Sequence, residues 1–234
     1  MTGTRSPHAK EPYFTSDKLA QTAMEMRRAV ESPRRGRNAA FEPGRSALLV
    51  LDVQSYFLEP ESHAYIPSAP AILPGIQALV QVYQQKKLPL IFTQHTNTSA
   101  DAGQMSVWWR DLIDANSPLS RIVPQLDPSS GIMIAKTQYD AFYGTPLEAE
   151  LQQRGVTQVV ISGVMTHLCC ETTARSAFVR GFQVFFLVDG TATYNQEFHR
   201  ASLLNLSHGF ATLSLVSEVL ASVSEDLASP GEAR

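Results

Sequence analysis

Asp52, Lys136 and Cys169 are the residues of this chain whose types and placement best suit covalent chemistry. Asp52 closes the apolar run 47–51, Lys136 closes 132–135, and Cys169 opens a predicted helix behind the run 157–162. A charged residue ending an apolar strand needs a partner or a role. Thiol, carboxylate and ammonium together can supply nucleophile, base and counter-ion. A free thiol with a pKa of about 8.5 is only slightly ionised at neutral pH. The helix start at Cys169 and the Lys136 ammonium are expected to favour the thiolate, and a hundredfold gain corresponds to roughly 2.7 kcal/mol. Asp52 would take the thiol proton and return it to a leaving group, help typically worth about 10²–10⁴-fold. The segment 162–166 could aim backbone N–H groups at a developing oxyanion.

Taken singly these residues have plainer readings: a cysteine behind a strand is commonly core, and a strand-end Asp or Lys commonly caps a turn or meets solvent. Only their joint placement points to a site. The chain carries no P-loop, dinucleotide fingerprint or Gly-x-Ser-x-Gly elbow.

The elements that must bring them together follow from apolar periodicity. Strands are predicted over 46–53, 90–93, 132–135, 156–162, 182–188 and 211–216, and helices over 74–85, 146–154, 167–180 and 199–208. Thr145, Pro146 and Glu148 read as a capping box, and Gly181 as a helix terminator. This alternation implies an α/β fold, a parallel sheet with helices on both faces, whose carboxyl strand ends form one crevice. Residues 1–40 read as an N-terminal arm, disordered to about residue 15, then an amphipathic helix from Ser16 carrying Leu19, Ala23, Met26 and Val30. Residues 41–234 read as one domain. The long irregular stretches 58–73 and 96–130 are expected to wall the pocket. Phe57, His95, Trp108, Tyr139 and Phe142 are the candidate pocket residues. His167 divides between substrate contact and a structural role, and Cys170, one helical step from Cys169, is expected in the core.

The 234 residues are 44% hydrophobic and 18% charged with net charge −3, which gives no field for nucleic acid or a membrane surface. Arg27, Arg28, Arg34, Arg35 and Arg37 make the arm locally basic, as a solvated face or subunit contact. The apolar runs are too short to span a bilayer, and no signal-peptide core is seen. The two cysteines are adjacent, so no useful disulfide is expected and a reducing cytoplasm is the default.

Three stretches resemble the isochorismatase-like hydrolases: Leu51-Asp52-Val53-Gln54-Ser55-Tyr56-Phe57, Lys136-Thr137-Gln138-Tyr139-Asp140-Ala141-Phe142, and Gly163-Val164-Met165-Thr166-His167-Leu168-Cys169-Cys170-Glu171-Thr172-Thr173-Ala174. The resemblance covers roughly residues 41–216. It implies a three-layer α/β/α sandwich with a six-stranded, mostly parallel sheet of Rossmann-like topology. It also implies cleavage of a C–N bond in a small amide, ureido or carbamoyl substrate by an Asp-Lys-Cys triad mapped onto Asp52, Lys136 and Cys169. A non-proline cis peptide maps onto Val164–Met165, with oxyanion donors at Met165 or Thr166 and at Cys169. Nicotinamidases of the family commonly hold a metal through an Asp-x-His pair; Thr93-Gln94-His95 lacks the carboxylate, so neither metal nor cofactor is expected. A homodimer or homotetramer is expected from the same resemblance. Two other readings stand beside it. One is a vinyl-ether hydrolase of the isochorismatase type with Asp52 as acid, which His167, Cys170 and the first two motifs favour and which Thr166 and Cys169 oppose. The other is a catalytically silent binding or assembly protein.

Overall fold

The apolar runs form strands β1 (Ser46–Leu51), β2 (Leu90–His95), β3 (Ile132–Lys136), β4 (Gln158–Val164), β5 (Gln183–Ala192) and β6 (Thr212–Ser214) in a computed structural model that describes residues 6, 8–30 and 40–225. They pair in parallel as one six-stranded sheet in the order β3-β2-β1-β4-β5-β6. Every residue of β1 is buried, as a central strand covered on both faces requires. Around the sheet lie α1 (Leu19–Val30), α2 (Ser55–Leu58), α3 (Ala69–Gln85), α4 (Met105–Trp108), α5 (Leu147–Gln153), α6 (Glu171–Val179), α7 (Gln196–Gly209) and α8 (Val216–Glu225). Helix α3 packs with α8 and reaches β1 and β5, while α1 and α6 pack against α7, giving the three-layer α/β/α sandwich. No described helix is long and apolar enough to cross a membrane.

The differences from the sequence expectation are local and have physical causes. Helix α3 begins before Pro74 and contains it, because burial of Ala69, Ile72 and Leu73 outweighs the lost N–H. The capping box does not close: Thr145 Oγ1 accepts from the Leu147 N–H at 3.3 Å, but Glu148 turns to Arg180 at 3.0 Å. The single helix expected over 167–180 divides into a π-turn, Thr166–Cys170, followed by α6. The expected disorder is corrected for residues 8–15, while residues 1–5 and 7 lie outside the described residues. Phe14 is only 1% exposed and its N–H donates to Ser68 Oγ at 3.0 Å. Of the basic arm, Arg27 pairs with Glu218 of α8 at 2.7 Å, whereas Arg34, Arg35 and Arg37 lie outside the described residues.

Candidate active site

The strand order reverses between β1 and β4, and an open α/β sheet takes its ligands in the crevice beyond such a switch point. Asp52 stands immediately after β1 with φ of +51°, a left-handed turn that Asp adopts more readily than most residues. Gly163, opposite Leu51 in the β1–β4 ladder, has φ of +113°, and a Cβ there would stand 2.1 Å from the Leu51 carbonyl oxygen. Only glycine fits, and the chain then leaves β4 through a cis Val164–Met165 peptide into the π-turn that returns Cys169 towards β1. Lys136 ends β3 in register with His95 at the end of β2.

These strand ends bring the three reactive groups into contact. Lys136 Nζ lies 2.7 Å from Asp52 Oδ2, with both side chains fully buried, and 3.4 Å from Cys169 Sγ. It also donates to the Gln138 carbonyl at 2.8 Å. The other Asp52 oxygen, Oδ1, accepts from Thr93 Oγ1 at 2.6 Å. His95 Nε2 meets Asn97 Oδ1 at 2.7 Å, and the Asn97 amide nitrogen donates to the Thr137 carbonyl at 2.9 Å. Asn97 Oδ1 therefore accepts, His95 carries its proton on Nε2, and Nδ1 faces the donor-only Lys136 ammonium at 3.4 Å. Gln54, fully buried, fixes the end of β2 by accepting from the His95 N–H and donating to the His95 carbonyl, each at 2.9 Å.

The charges sort themselves accordingly. Burial opposes ionisation of Asp52, but the Lys136 ammonium beside it holds its carboxyl below the usual carboxylate range. Burial likewise opposes the Lys136 charge, and Asp52 and Cys169 outweigh it, keeping the ammonium above its ordinary value. Burial pushes the Cys169 thiol up; Lys136 offsets this in part, while Asp52 adds to it. The expected low-pKa thiolate is therefore corrected. The resting state is a neutral thiol beside an Asp52–Lys136 ion pair, because burial and a neighbouring carboxylate outweigh one ammonium.

A narrow pocket opens beside the thiol. Tyr56, Phe57, Trp109 and Tyr139 give it aromatic walls; Leu112, Ile113, Met165 and Leu168 complete the apolar lining. His95 and Asn97 lie beside Cys169, and Asp111 is the one carboxylate lining it. Of the candidate pocket residues, Phe57, His95 and Tyr139 line this pocket, and Met165, of the cis peptide, lines it too.

Three other candidates do not. Trp108 is 81% exposed, and its neighbour Trp109 faces inward, donating from Nε1 to Tyr139 OH at 3.0 Å, because the α4 turn buries Met105 and sends Trp108 outward. Phe142 stacks on Phe182 in the core with centroids 6.0 Å apart, and Arg180 covers it. His167 stacks on Phe198 at 4.4 Å and bonds Thr193 Oγ1 at 2.6 Å, away from the pocket lining. Thr166 is buried, with Oγ1 3.0 Å from His199 Nδ1. Sequence reasoning did not single out Tyr56, Asn97, Trp109 or Asp111 as site residues; Tyr56 is adjacent to Phe57 in the first motif, and the other three lie in the long stretch 96–130 expected to wall the pocket. Cys170 is fully buried in the core.

Asp52, His95 and Cys169 place donor atoms within 4.8 Å of one another, a spacing compatible with a metal ion. The Lys136 ammonium stands in contact with all three and balances the carboxylate. The donor set thus fits an ammonium and does not fit a divalent cation.

A family model for the isochorismatase domain matches residues 46–218. Nicotinamidase 3 of Arabidopsis thaliana is 39% identical over 173 residues, spanning 72% of this chain and 83% of the relative. A ureidoacrylate amidohydrolase of Methylobacterium radiotolerans is 28% identical over 211 residues, spanning 79% of this chain and 82% of the relative. Among solved structures, a cysteine hydrolase from Pseudomonas syringae pv. phaseolicola 1448A superposes with a TM-score of 0.79 at 25% identity, covering 83% of this chain and 99% of that one.

Proposed function

The chain belongs to the isochorismatase family, and on that premise we propose that it hydrolyses non-peptide C–N bonds, that Cys169 is its nucleophile and that small uncharged amides on a flat ring are its substrates. The observation that carries this reading is the contact of Cys169 with the buried Asp52–Lys136 pair at the floor of an aromatic pocket.

The reaction follows from that arrangement. Cys169 Sγ attacks the amide carbon as its proton passes to Asp52, so that no free thiolate accumulates. The N–H groups of Met165 or Thr166 and of Cys169 hold the resulting oxyanion. Asp52 gives its proton to the departing nitrogen, the C–N bond breaks, and an acyl thioester remains on Cys169. Water, losing a proton to Asp52, attacks the thioester; the acid leaves and the returning proton restores the thiol. Lys136 keeps Asp52 ionised between proton transfers.

Pocket composition supports the substrate class. Aromatic side chains offer faces on which a flat ring can stack. The lining contains no Arg or Lys, and the Lys136 charge is matched by Asp52. A substrate carboxylate there would be desolvated without a cation, a costly arrangement. This weighs against isochorismate, a dicarboxylate, and hence against the vinyl-ether reading. A silent assembly protein would need none of the buried charges.

Nicotinamide, the substrate in the name of one relative, is the first compound to test, with ammonia release as the signal and isochorismate beside it. We expect turnover of nicotinamide, a loss of roughly 10⁴-fold or more in Cys169→Ala with an unchanged circular dichroism spectrum, and no pyruvate from isochorismate. Amidase activity surviving in Cys169→Ala would overturn the thiol mechanism. Pyruvate release surviving in Cys169→Ser would establish the vinyl-ether reading instead.

A further inference from the structure

We propose that Tyr13, in the N-terminal segment ahead of the family-matched residues 46–218, is a positioning residue for the turn that carries Cys169; the proposal rests on the thiol mechanism above. Tyr13 OH accepts from the Thr193 N–H at 3.0 Å and bonds His199 Nδ1 at 3.0 Å. His199 Nδ1 also lies 3.0 Å from Thr166 Oγ1, and Thr193 Oγ1 lies 2.6 Å from His167 Nδ1. The two residues that open the π-turn, Thr166 and His167, are therefore each tied through one intermediate to the same phenol.

The segment is seated to perform this task. The Glu11 N–H donates to the Tyr194 carbonyl at 2.8 Å, and Asn195 Nδ2 donates to the Ala9 carbonyl at 3.1 Å. Phe14 packs edge-on to the His199 ring with centroids 5.2 Å apart. The C-terminal end of β5, the start of α7 and the opening of the nucleophile turn thus converge on Tyr13. The hydroxyl touches no reacting atom. Its effect must come through the backbone N–H groups of the turn, whose aim at an oxyanion is sensitive to small displacements. Deleting the hydroxyl leaves the Thr193 N–H without its acceptor and removes one of the hydrogen-bond partners of His199.

The test compares full-length wild type, Tyr13→Phe and Phe14→Leu at a temperature well below unfolding. It uses nicotinamide turnover, iodoacetamide labelling of Cys169, and inhibition by pyridine-3-carbaldehyde. In that inhibitor complex, Cys169 Sγ bonds to the carbonyl carbon, the C=O π bond opens, and the thiol proton ends on the new hemiacetal oxygen. For Tyr13→Phe we expect kcat to fall about tenfold, a fraction of the loss on deleting one oxyanion donor, with KM within about twofold. The aldehyde Ki should rise about tenfold in parallel while the labelling rate stays at the wild-type value. Phe14→Leu should lower Tm and leave kcat in place. Wild-type kcat and Ki in Tyr13→Phe would overturn the proposal, and so would an equal kcat loss in Phe14→Leu. If the wild type binds the aldehyde but releases no ammonia from nicotinamide, the substrate reading fails and the Ki comparison still decides the role of Tyr13. If the aldehyde does not inhibit the wild type, the thiol mechanism falls and this proposal falls with it.

Discussion

A thiol wedged between a carboxylate and an ammonium transfers its proton during attack and need not be ionised beforehand. Burial and Asp52 hold the Cys169 proton on sulfur, and Lys136 alone pulls the other way. Removing the carboxylate while keeping the ammonium should reverse that balance. In Asp52→Asn the Cys169 pKa is expected to fall, because the repelling charge is gone and Lys136 remains at 3.4 Å. Labelling by iodoacetamide at pH 7 should therefore be faster in the variant than in the wild type, whose rate should climb only above about pH 9. Amide turnover should move the opposite way, falling by about 10²–10⁴-fold with the loss of the acid–base group. A variant that labels more slowly than wild type at pH 7 would show that Asp52 favours the thiolate and would reverse the electrostatic account.

At the scale of elements, the site depends on how closely β4 approaches β1. Gly163→Ala would set a methyl 2.1 Å from the Leu51 carbonyl oxygen at a φ of +113°. The clash and the backbone strain together should cost about 4 kcal/mol, or roughly 10 °C in Tm for a chain of this size. A thermal melt within about 2 °C of wild type would show that the ladder relaxes at little cost. The strand positions were legible because each strand is a bounded apolar run, and Asp52, Lys136 and Cys169 stand out by interrupting such runs. The pocket was less legible, since its walls come from long connections without periodicity. Choosing Trp109 over Trp108 depends on the rotation of one short turn, α4, that no pattern announces. Phe142 and His167 sit within motif stretches, yet the chain turns each of them away towards Phe182 and Phe198. Residues 8–15 gave no signal because Tyr13 and Phe14 stand alone among polar neighbours, and the ring they share as partner, His199, is nearly two hundred positions away in α7.

For the whole molecule, the order β3-β2-β1-β4-β5-β6 makes every strand pairing a long-range one. Parallel pairing of distant segments forms slowly, because loop closure is paid before contacts compensate it. On dilution from denaturant, helical signal is expected to return before amide hydrolysis, with activity recovering in step with protection of the β1 and β4 amides. Coincident recovery of helical signal and activity would show instead that sheet and helices assemble together. The placement of Asp52 just after β1, Lys136 at the end of β3 and Cys169 in the turn after β4 also bears on the life of the chain in a cell. No fragment holding fewer than these strands can bring base, ammonium and sulfur together. On the proposed mechanism, a nascent or partly unfolded chain is therefore inactive, and hydrolysis begins only when the last of those pairings is made.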